Sequence, residues 1–171
     1  MDIATRTDLV RFVASLGATD AVEIGVHKGA FSSVILDKTM IARLWLVDPW
    51  ETFRRMNGDK TYAFCRQALG RFGGRARFIR RRSLDAAPLF VRDRFDFVYI
   101  DADHSREAVD ADLRAWWPLC RTGGVFAGHD YCRRQKTYGV IDAVDEFFCA
   151  MDRTVSVTTD DGHWPTWWVV K

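Results

Sequence analysis

The stretch Val22–Ser32, which reads VEIGVHKGAFS, constrains the fold of this chain more than any other segment. It combines a short apolar strand that ends in Glu23, a turn that contains Gly25 and Gly29, and the start of a helix. Glycine adopts positive φ without steric cost, so Gly25 lets the chain turn directly after the strand. We expect Gly29 to let the backbone approach a ligand. The amides and positive dipole end of the following helix then face the crevice in which open α/β sheets bind nucleotide-type ligands.

The spacing of this turn differs from that of a dinucleotide-binding loop. Such a loop has the pattern G-x-G-x-x-G, whereas this chain has E-x-G-x-x-x-G, with His27 and Lys28 in place of small residues. The carboxylate of Glu23 repels a phosphate and suits an ammonium group. The pattern therefore favours a ligand with a cationic amino-acid end and a nucleoside end. An NAD-dependent oxidoreductase and an ordinary glycine-rich turn are the alternatives.

Composition indicates one globular domain over residues 1–171, since the chain is too short for two ordinary domains and 48% of it is hydrophobic. No apolar run approaches the roughly 20 residues of a membrane span, and the first residues lack a secretory apolar stretch. The net charge of +2 indicates no particular polyanionic partner. Cys65, Cys120, Cys132 and Cys149 form no CxxC pair, so we expect free thiols in the cytoplasm and no structural zinc.

Helical and strand patterns alternate along the chain. Apolar residues at helical spacing predict an amphipathic helix within residues 1–20, closed by Gly17. Predicted strands lie near residues 21–24, 44–47, 76–79, 95–100, 124–127, 155–158 and 167–170. No helix separates the last two strands, so they form a hairpin. The order predicts a single Rossmann-like, doubly wound α/β fold, with a mostly parallel sheet of about seven strands and an antiparallel C-terminal hairpin.

Polar residues at the ends of the second and third strands fit a nucleoside. Asp48 lies 25 residues after Glu23, where an acid typically accepts hydrogen bonds from both ribose hydroxyls. Trp50 offers a stacking face for adenine, and the hydroxyl of Ser83 can hydrogen-bond the adenine edge. Each has a structural alternative, because Asp48 can cap the turn before Pro49 and Ser83 can cap the next helix.

The fourth and fifth strands are followed by acids and histidines. Asp101, Asp103 and His104 come directly after the fourth strand, and His129 and Asp130 follow the fifth. Neighbouring parallel strands bring Asp101 and Asp130 together, and two close carboxylates repel unless a cation lies between them. Mg²⁺ or another divalent cation accepts such oxygen ligands. The alternative is that Asp130 hydrogen-bonds the backbone and His129 caps the loop.

Taken together, these motifs resemble one known enzyme family. The set V-E-I-G-x-x-x-G, D-P-W, I-D-x-D-H-S, G-G-V-x-A-G-H-D-Y and G-V-x-x-A-V-D-E-F-F spans about Val22 to Phe148. It is similar to class I S-adenosylmethionine-dependent methyltransferases, specifically the bacterial group with sugar and macrolide O-methyltransferases, and more remotely to the metal-dependent catechol type. The resemblance implies S-adenosylmethionine as cofactor. The implied acceptor is a hydroxyl of a small molecule, sugar, glycan or natural product.

The resemblance also implies roles for individual residues. Asp101 and Asp130 match the metal-binding aspartates of the catechol type, while His129 replaces a glutamate of the macrolide type and leaves the third ligand open. His104 aligns with the catalytic lysine of the catechol type, and a histidine with an ordinary pKa of about 6.5 is suited to be the general base. The resemblance also implies that Asp101 contacts the cofactor and takes part in catalysis. Glu23 and the glycine turn would hold the methionine end.

Other readings of the chain concern its partners. A non-catalytic module that binds the cofactor or a protein is one alternative, which His104 beside Asp101 argues against. The arginines between Arg71 and Arg82 lie on both sides of a predicted strand and within it, so alternate side chains point to opposite faces of the sheet. This arrangement disfavours nucleic acid as a partner. The run Arg133, Arg134 and Lys136 fits an anionic acceptor or, more simply, a solvated loop.

The acceptor-binding part of the chain is small. Only about 20 residues precede the first strand, so residues 51–75, as a lid, or a second subunit of a homodimer must shape the acceptor pocket.

Overall fold

The computed structural model of the chain describes residues 3–52, 56–133 and 138–171. Its strands are β1 (Asp20–Ile24), β2 (Arg43–Val47), β3 (Ala76–Ile79), β4 (Phe95–Ile100), β5 (Cys120–Gly128), β6 (Ser156–Val157) and β7 (Trp167–Val170). Its α-helices are α1 (Arg6–Ser15), α2 (Ala30–Lys38), α3 (Gly58–Leu69), α4 (Ser83–Ala86), α5 (Arg106–Trp116) and α6 (Val140–Cys149). Short 3-10 helices follow α3, α4 and α5.

The strands form one seven-stranded sheet in the order β3-β2-β1-β4-β5-β7-β6. The first five strands run parallel, whereas β7 is antiparallel to both β5 and β6. The order reverses beside β1, so the carboxyl ends of β1 and β4 flank the switch point at which such sheets bind ligands. This confirms the predicted Rossmann-like sheet with an antiparallel C-terminal hairpin.

Helices cover both faces of the sheet, which explains why the central strands are apolar on both sides. Helices α1, α2 and α3 bury Leu9, Ile35 and Leu69 on one face. Helices α5 and α6 bury Leu113 and Phe148 on the other face. Each face has its own apolar core, and the sheet between them holds the strand ends in fixed positions.

Helix α1 is fastened at its first turn to the connection between β6 and β7. The side chain of Thr5 caps the helix through Asp8 in a capping box. The backbone amide of Arg6 donates to both carboxylate oxygens of Asp161, at 3.0 and 2.8 Å. The carbonyl of Ala4 accepts from the amide of Asp160. The start of α1 therefore lies at the edge of the sheet where the parallel strands end.

Strand β5 begins at Cys120, earlier than the prediction of residue 124. Gly123 and Gly124, a pair typical of a turn, lie inside the strand, where Gly123 has φ +73°. The pairing register between β4 and β5 shifts there, with Phe95 opposite Cys120 and Phe97 opposite Val125. Glycines inside a strand often mark such an irregularity, so the pair bends the strand and does not end it.

Two further observations bear on the setting of the chain. All four cysteines are free thiols, and Cys65 and Cys120 are buried. Among the residues that the structure describes, no helix is long and apolar enough to cross a membrane.

Candidate active site

A cavity of about 300 Å³ opens where the parallel strands end. It is lined by Ile24, Gly25, His27, Val47, Asp48, Pro49, Ser83, Asp101, Ala102 and Asp103. A second cavity of about 540 Å³ shares Pro49, Ser83, Ala102 and Asp103 with it, and continues between α4 and α5. The structure thus brings the predicted cofactor residues Gly25, Asp48, Ser83 and Asp101 to one crevice, although they are far apart in sequence.

The two glycines of the turn have different roles. A Cβ on Gly25, at φ +89°, would lie 1.9 Å from the carbonyl oxygen of Asp101, so only glycine lets β1 leave the sheet beside β4. Gly29 has φ +79°, and a Cβ there would meet Leu69 and Cys65 at 2.9 and 3.0 Å. The expectation that Gly29 admits a ligand is therefore wrong, because its open face is filled by α3. Gly29 allows a helix to pack.

Glu23 is the buried acid of the site, with only 1% of its surface exposed. The hydroxyl of Ser32 donates to its Oε2 at 2.5 Å. Burial raises the pKa of Glu23 to about 8, and the nearby Asp101 adds to the rise, while Ser32 and Arg6 oppose it. Glu23 is therefore largely protonated at neutral pH in the free protein, and a cationic group beside it would favour the ionised form.

This pKa predicts how the stability of the ligand-free protein depends on pH. Because the pKa of Glu23 rises from 4.5 to about 8 on folding, the folded state binds the proton more tightly than the unfolded state. The contribution of this proton to the free energy of unfolding is fully present below pH 4.5 and is lost as the pH rises toward 8. The free energy of unfolding should fall over this range by up to about 1.4 kcal/mol per pH unit. Urea denaturation between pH 5 and 8 measures this slope.

The control for this prediction is Glu23→Gln, which keeps the shape of the side chain and cannot titrate. Its stability should change less between pH 5 and 8 than that of the parent protein. Equal pH dependence in the two proteins would show that Glu23 is ionised in the folded state and that the predicted pKa is wrong.

Asp48 fastens the end of β2 to the turn after β1. Its Oδ2 accepts from the amides of Val26 and His27, at 3.0 and 2.8 Å, and its Oδ1 accepts from the amide of Trp50 at 2.7 Å. The predicted turn-capping role is therefore present. Asp48 also lines the cavity, so ribose binding stays a prediction beside that role.

Trp50 does not line the crevice. Only 1% of its surface is exposed, its Nε1 donates to the carbonyl of His27 at 2.8 Å, and its ring packs on Tyr62 and Phe78. The expectation that Trp50 stacks on adenine is therefore wrong, because α3 and β3 already cover the ring. Trp50 has φ +42°, a backbone conformation that is uncommon for a bulky residue.

Ser83 lines both cavities but its hydroxyl is engaged by the protein. It donates to Asp112 and accepts from Trp116 Nε1 at 2.7 Å. Ser83 is the first residue of α4, and Arg82 occupies the capping position. The alternative that Ser83 caps the helix is therefore wrong, because the capping position lies one residue earlier. Contact between Ser83 and adenine stays a prediction.

The acids and histidines after β4 and β5 converge as predicted. Ligand atoms of Asp101, His104 and Asp130 all lie within 4.8 Å of one another. His104 Nε2 is 2.6 Å from Asp130 Oδ2 and 3.4 Å from Asp101 Oδ1. His129 Nδ1 lies 3.1 Å from Asp130 Oδ1 and 3.9 Å from Asp101 Oδ2. We call Asp101, His104 and Asp130 the acidic cluster.

The acidic cluster differs from the predicted metal set in its histidine. His104 completes the group of three, whereas His129 lies beside Asp130 on the other side. His104 Nε2 is buried, and although Asp130 is close, it makes no hydrogen bond of acceptable geometry. Asp130 has φ +57°, a conformation that aspartate tolerates better than most residues. Such strain often accompanies a functional site.

Electrostatics explain the protonation of the cluster. Burial lowers the pKa of His104, but Asp101 and Asp130 outweigh it and raise this pKa to about 9. Burial acts to raise the pKa of Asp130, yet His104 and His129 hold it well below its usual range. In the free protein His104 is thus a cation between two carboxylates at neutral pH. It is a poor proton acceptor in that state, which departs from the role we expected for it.

Two aromatic residues lie beside the acidic cluster. The ring of Tyr138 stacks on His104, with centroids 4.8 Å apart and planes at 18°. Trp164 lies next to Tyr138, at 6.2 Å between centroids. Sequence analysis missed both, since neither residue stands near His104 in the chain. Arg134 and Lys136 of the predicted basic run lie outside the described residues, and Arg133 pairs with Asp142 at 2.6 Å.

Comparison with known proteins agrees with this architecture. The sequence profile of a family described as Methyltransferase domain matches residues 22–131. No curated protein shows significant sequence similarity to the chain.

Solved structures share the fold at low sequence identity. The O-methyltransferase TomG from Streptomyces achromogenes, involved in tomaymycin synthesis and solved with SAM, is 19% identical with a TM-score of 0.70, over 97% of this chain and 79% of its own. The O-methyltransferase from Bacillus cereus in complex with SAH is 17% identical with a TM-score of 0.69, over 97% and 80%. A protein from Corynebacterium glutamicum is 21% identical with a TM-score of 0.68, over 97% and 80%.

The family match covers more than half of the chain, from the last three residues of β1 and its glycine turn to the residues after β5. It thus contains the residues that line the crevice and the acidic cluster. The chain belongs to the Methyltransferase domain family and is a class I S-adenosylmethionine-dependent methyltransferase, as its motifs predicted.

Proposed function

We propose that the chain methylates a hydroxyl oxygen of a small molecule, with S-adenosylmethionine as methyl donor and a divalent cation at the acidic cluster. One observation carries this proposal: Asp101 belongs both to the wall of the cofactor crevice and to the acidic cluster. A ligand in the crevice and a group bound at the cluster would therefore be neighbours. In methyl transfer, alignment of the two reactants is the main task of the protein.

Residues in and beside the crevice fit the parts of S-adenosylmethionine. Glu23, which is buried beside the crevice, would take the ammonium group, because its carboxyl is able to ionise beside a cation. Asp48 and Ser83 line the crevice and would contact the nucleoside. When bound, S-adenosylmethionine supplies a methyl group on a sulfonium, which is a good leaving group. The chain contributes by orienting this molecule and by excluding water from it.

The acidic cluster fits a divalent cation. Two carboxylates suit Mg²⁺ or Mn²⁺, and an imidazole beside them favours a first-row ion such as Mn²⁺. The buried Nε2 of His104 makes no hydrogen bond, and it would release its proton when such an ion binds. A bound divalent cation lowers the pKa of a hydroxyl and orients it. Asp101 and Asp130 would hold the ion, with His104 as third ligand and His129 orienting Asp130.

His104 as general base is the alternative role. It requires His104 to lose its proton first, and the two carboxylates oppose that loss. The two roles differ in what metal removal does, since EDTA abolishes activity only when a metal holds the acceptor. His104→Ala reduces methyl transfer in both cases, so the metal response is what separates them.

The acceptor would approach from the side of Tyr138 and Trp164. Aromatic rings of this kind pack against the face of a sugar or of a planar natural product. TomG is involved in tomaymycin synthesis, which agrees with a small-molecule acceptor. We propose that residues 51–75 or a second copy of the chain complete the pocket, and we assign the protein to the cytoplasm on its four free thiols.

The test of the proposed function combines binding and turnover. Calorimetry should show one site for S-adenosylhomocysteine per chain. Radiolabelled S-adenosylmethionine with a panel of phenolic, sugar and macrolide hydroxyls, with Mg²⁺ or Mn²⁺ added, should yield an O-methyl product that EDTA suppresses. Absence of S-adenosylhomocysteine binding by folded protein would contradict the proposal. If EDTA leaves turnover intact, the part of the proposal that places a metal at the acidic cluster is wrong.

A further inference from the structure

Arg6 is a cation that the predicted site did not include. It is the first residue of α1, and it is partly buried. Its backbone amide is fixed by Asp161, which sets the position of the residue. Its guanidinium carbon lies 5.1 Å from the centre of the Phe31 ring, in the first turn of α2. Arg6 forms no ion pair with any acid in the part of the chain that the structure describes.

The guanidinium of Arg6 lies near residues that surround Glu23. Phe31 stands one residue before Ser32, whose hydroxyl binds Glu23, and the Phe31 ring is 4.3 Å from the ring of Tyr99. Burial raises the pKa values of both Glu23 and Tyr99, and the charge of Arg6 opposes part of that rise in each. Arg6 and Glu23 therefore lie close together at the same edge of the sheet.

This arrangement pairs one cation with one buried acid. A guanidinium without an acid partner costs desolvation and gains a charge-assisted hydrogen bond when a carboxylate arrives. A zwitterionic α-amino acid carries the two complementary charges, an ammonium for Glu23 and a carboxylate for Arg6. Neither a nucleoside nor an acceptor hydroxyl offers that combination.

We propose that Arg6 binds the α-carboxylate of the methionine moiety of S-adenosylmethionine, while Glu23 takes its ammonium group. This assignment rests on the proposed function and names the residue that recognises the amino-acid end of the cofactor. Two arginines that follow β3 at this end of the sheet already have acid partners, Arg80 with Asp59 and Arg82 with Glu51. Lys28, in the turn after β1, is exposed and is the competing cation.

The experiment compares two ligands that differ only in the carboxylate. Calorimetry measures binding of S-adenosylhomocysteine and of its decarboxylated analogue S-adenosyl-3-thiopropylamine. Arg6→Gln should weaken S-adenosylhomocysteine by about 10- to 100-fold, as expected for loss of one charge-assisted contact, and should change binding of the analogue by less than about threefold. Arg6→Lys, which keeps the charge, should recover part of the loss.

Two variants serve as controls, and thermal melts check that all variants fold. Arg11→Gln lies on the same helix, where Arg11 pairs only with Asp8 at the surface, and should bind both ligands as the parent does. A carboxylate-specific loss in Lys28→Gln, with none in Arg6→Gln, would overturn the assignment. Equal weakening of both ligands by Arg6→Gln would overturn it too. If the parent protein binds neither ligand, the proposed function itself fails.

Discussion

Replacing Gly25 with alanine should destabilise the fold more than any other single-methyl change in the turn after β1. The added Cβ would lie 1.9 Å from the carbonyl oxygen of Asp101 and 2.8 Å from the Cα of Ala102. Both atoms belong to backbone, so β1 and β4 would have to separate at their carboxyl ends. We expect the free energy of unfolding to fall by about 4 kcal/mol or more, which is an exceptional loss for one substitution. Urea denaturation measures this loss, and S-adenosylhomocysteine binding should disappear with it.

Gly17→Ala is the matched control. Gly17 has φ +72°, close to that of Gly25, but a Cβ there would meet nothing within 4 Å. This variant therefore carries only the strain of a left-handed alanine, about 1–2 kcal/mol. A difference between the two variants isolates the contact with β4. If both lose the same amount of stability, backbone conformation alone explains the need for glycine.

The largest effect on turnover is expected for Asp130→Asn. This change removes a carboxylate that lies 2.6 Å from His104 Nε2, at the centre of the acidic cluster. Removal of a charged group that activates or orients the acceptor hydroxyl typically costs on the order of 100-fold or more in rate. We expect kcat/KM for methyl transfer to fall by that amount. Binding of S-adenosylhomocysteine should change little, because Asp130 is absent from the wall of the cofactor crevice.

The control for this variant is Asp110→Asn on α5, where Asp110 pairs with Arg114 at 2.8 Å on the surface. It removes the same charge and should leave kcat/KM unchanged. Metal uptake by the parent and the Asp130→Asn protein can be compared by calorimetry with Mn²⁺. Full activity of Asp130→Asn would show that the acidic cluster does not take part in the reaction.

The fold was predictable because its strong signals are local. Strand β4 is apolar except for Asp96, which already indicates a central position, and helices between strands imply parallel crossovers. The antiparallel hairpin followed from the missing helix before Trp167–Val170. The early start of β5 was not predictable, because a Gly-Gly pair reads as a turn unless the pairing with β4 is known.

The site was predictable where its residues stand at strand ends, since topology alone brings Asp48, Asp101 and Asp130 to one edge. Individual side-chain directions were not. Trp50 and Gly29 were assigned to the ligand, yet both contact α3. The sequence pattern does not tell whether a ligand or a helix packs against such residues. Arg6 escaped notice because it reads as an ordinary cation in an amphipathic helix until α1 is packed on the sheet.

Strand β3 has a consequence for how the protein behaves at high concentration. It is the outermost strand on its side and spans only Ala76–Ile79, so its free backbone groups offer little length for another chain to join. The guanidinium of Arg75 donates hydrogen bonds to the carbonyls of Leu36, Thr39 and Ile41. Arg77 is exposed on the strand itself. Short, cationic margins of this kind oppose edge-to-edge growth of sheets. The shortness of β3 and the exposed charge of Arg77 thus oppose the addition of a further strand at this edge.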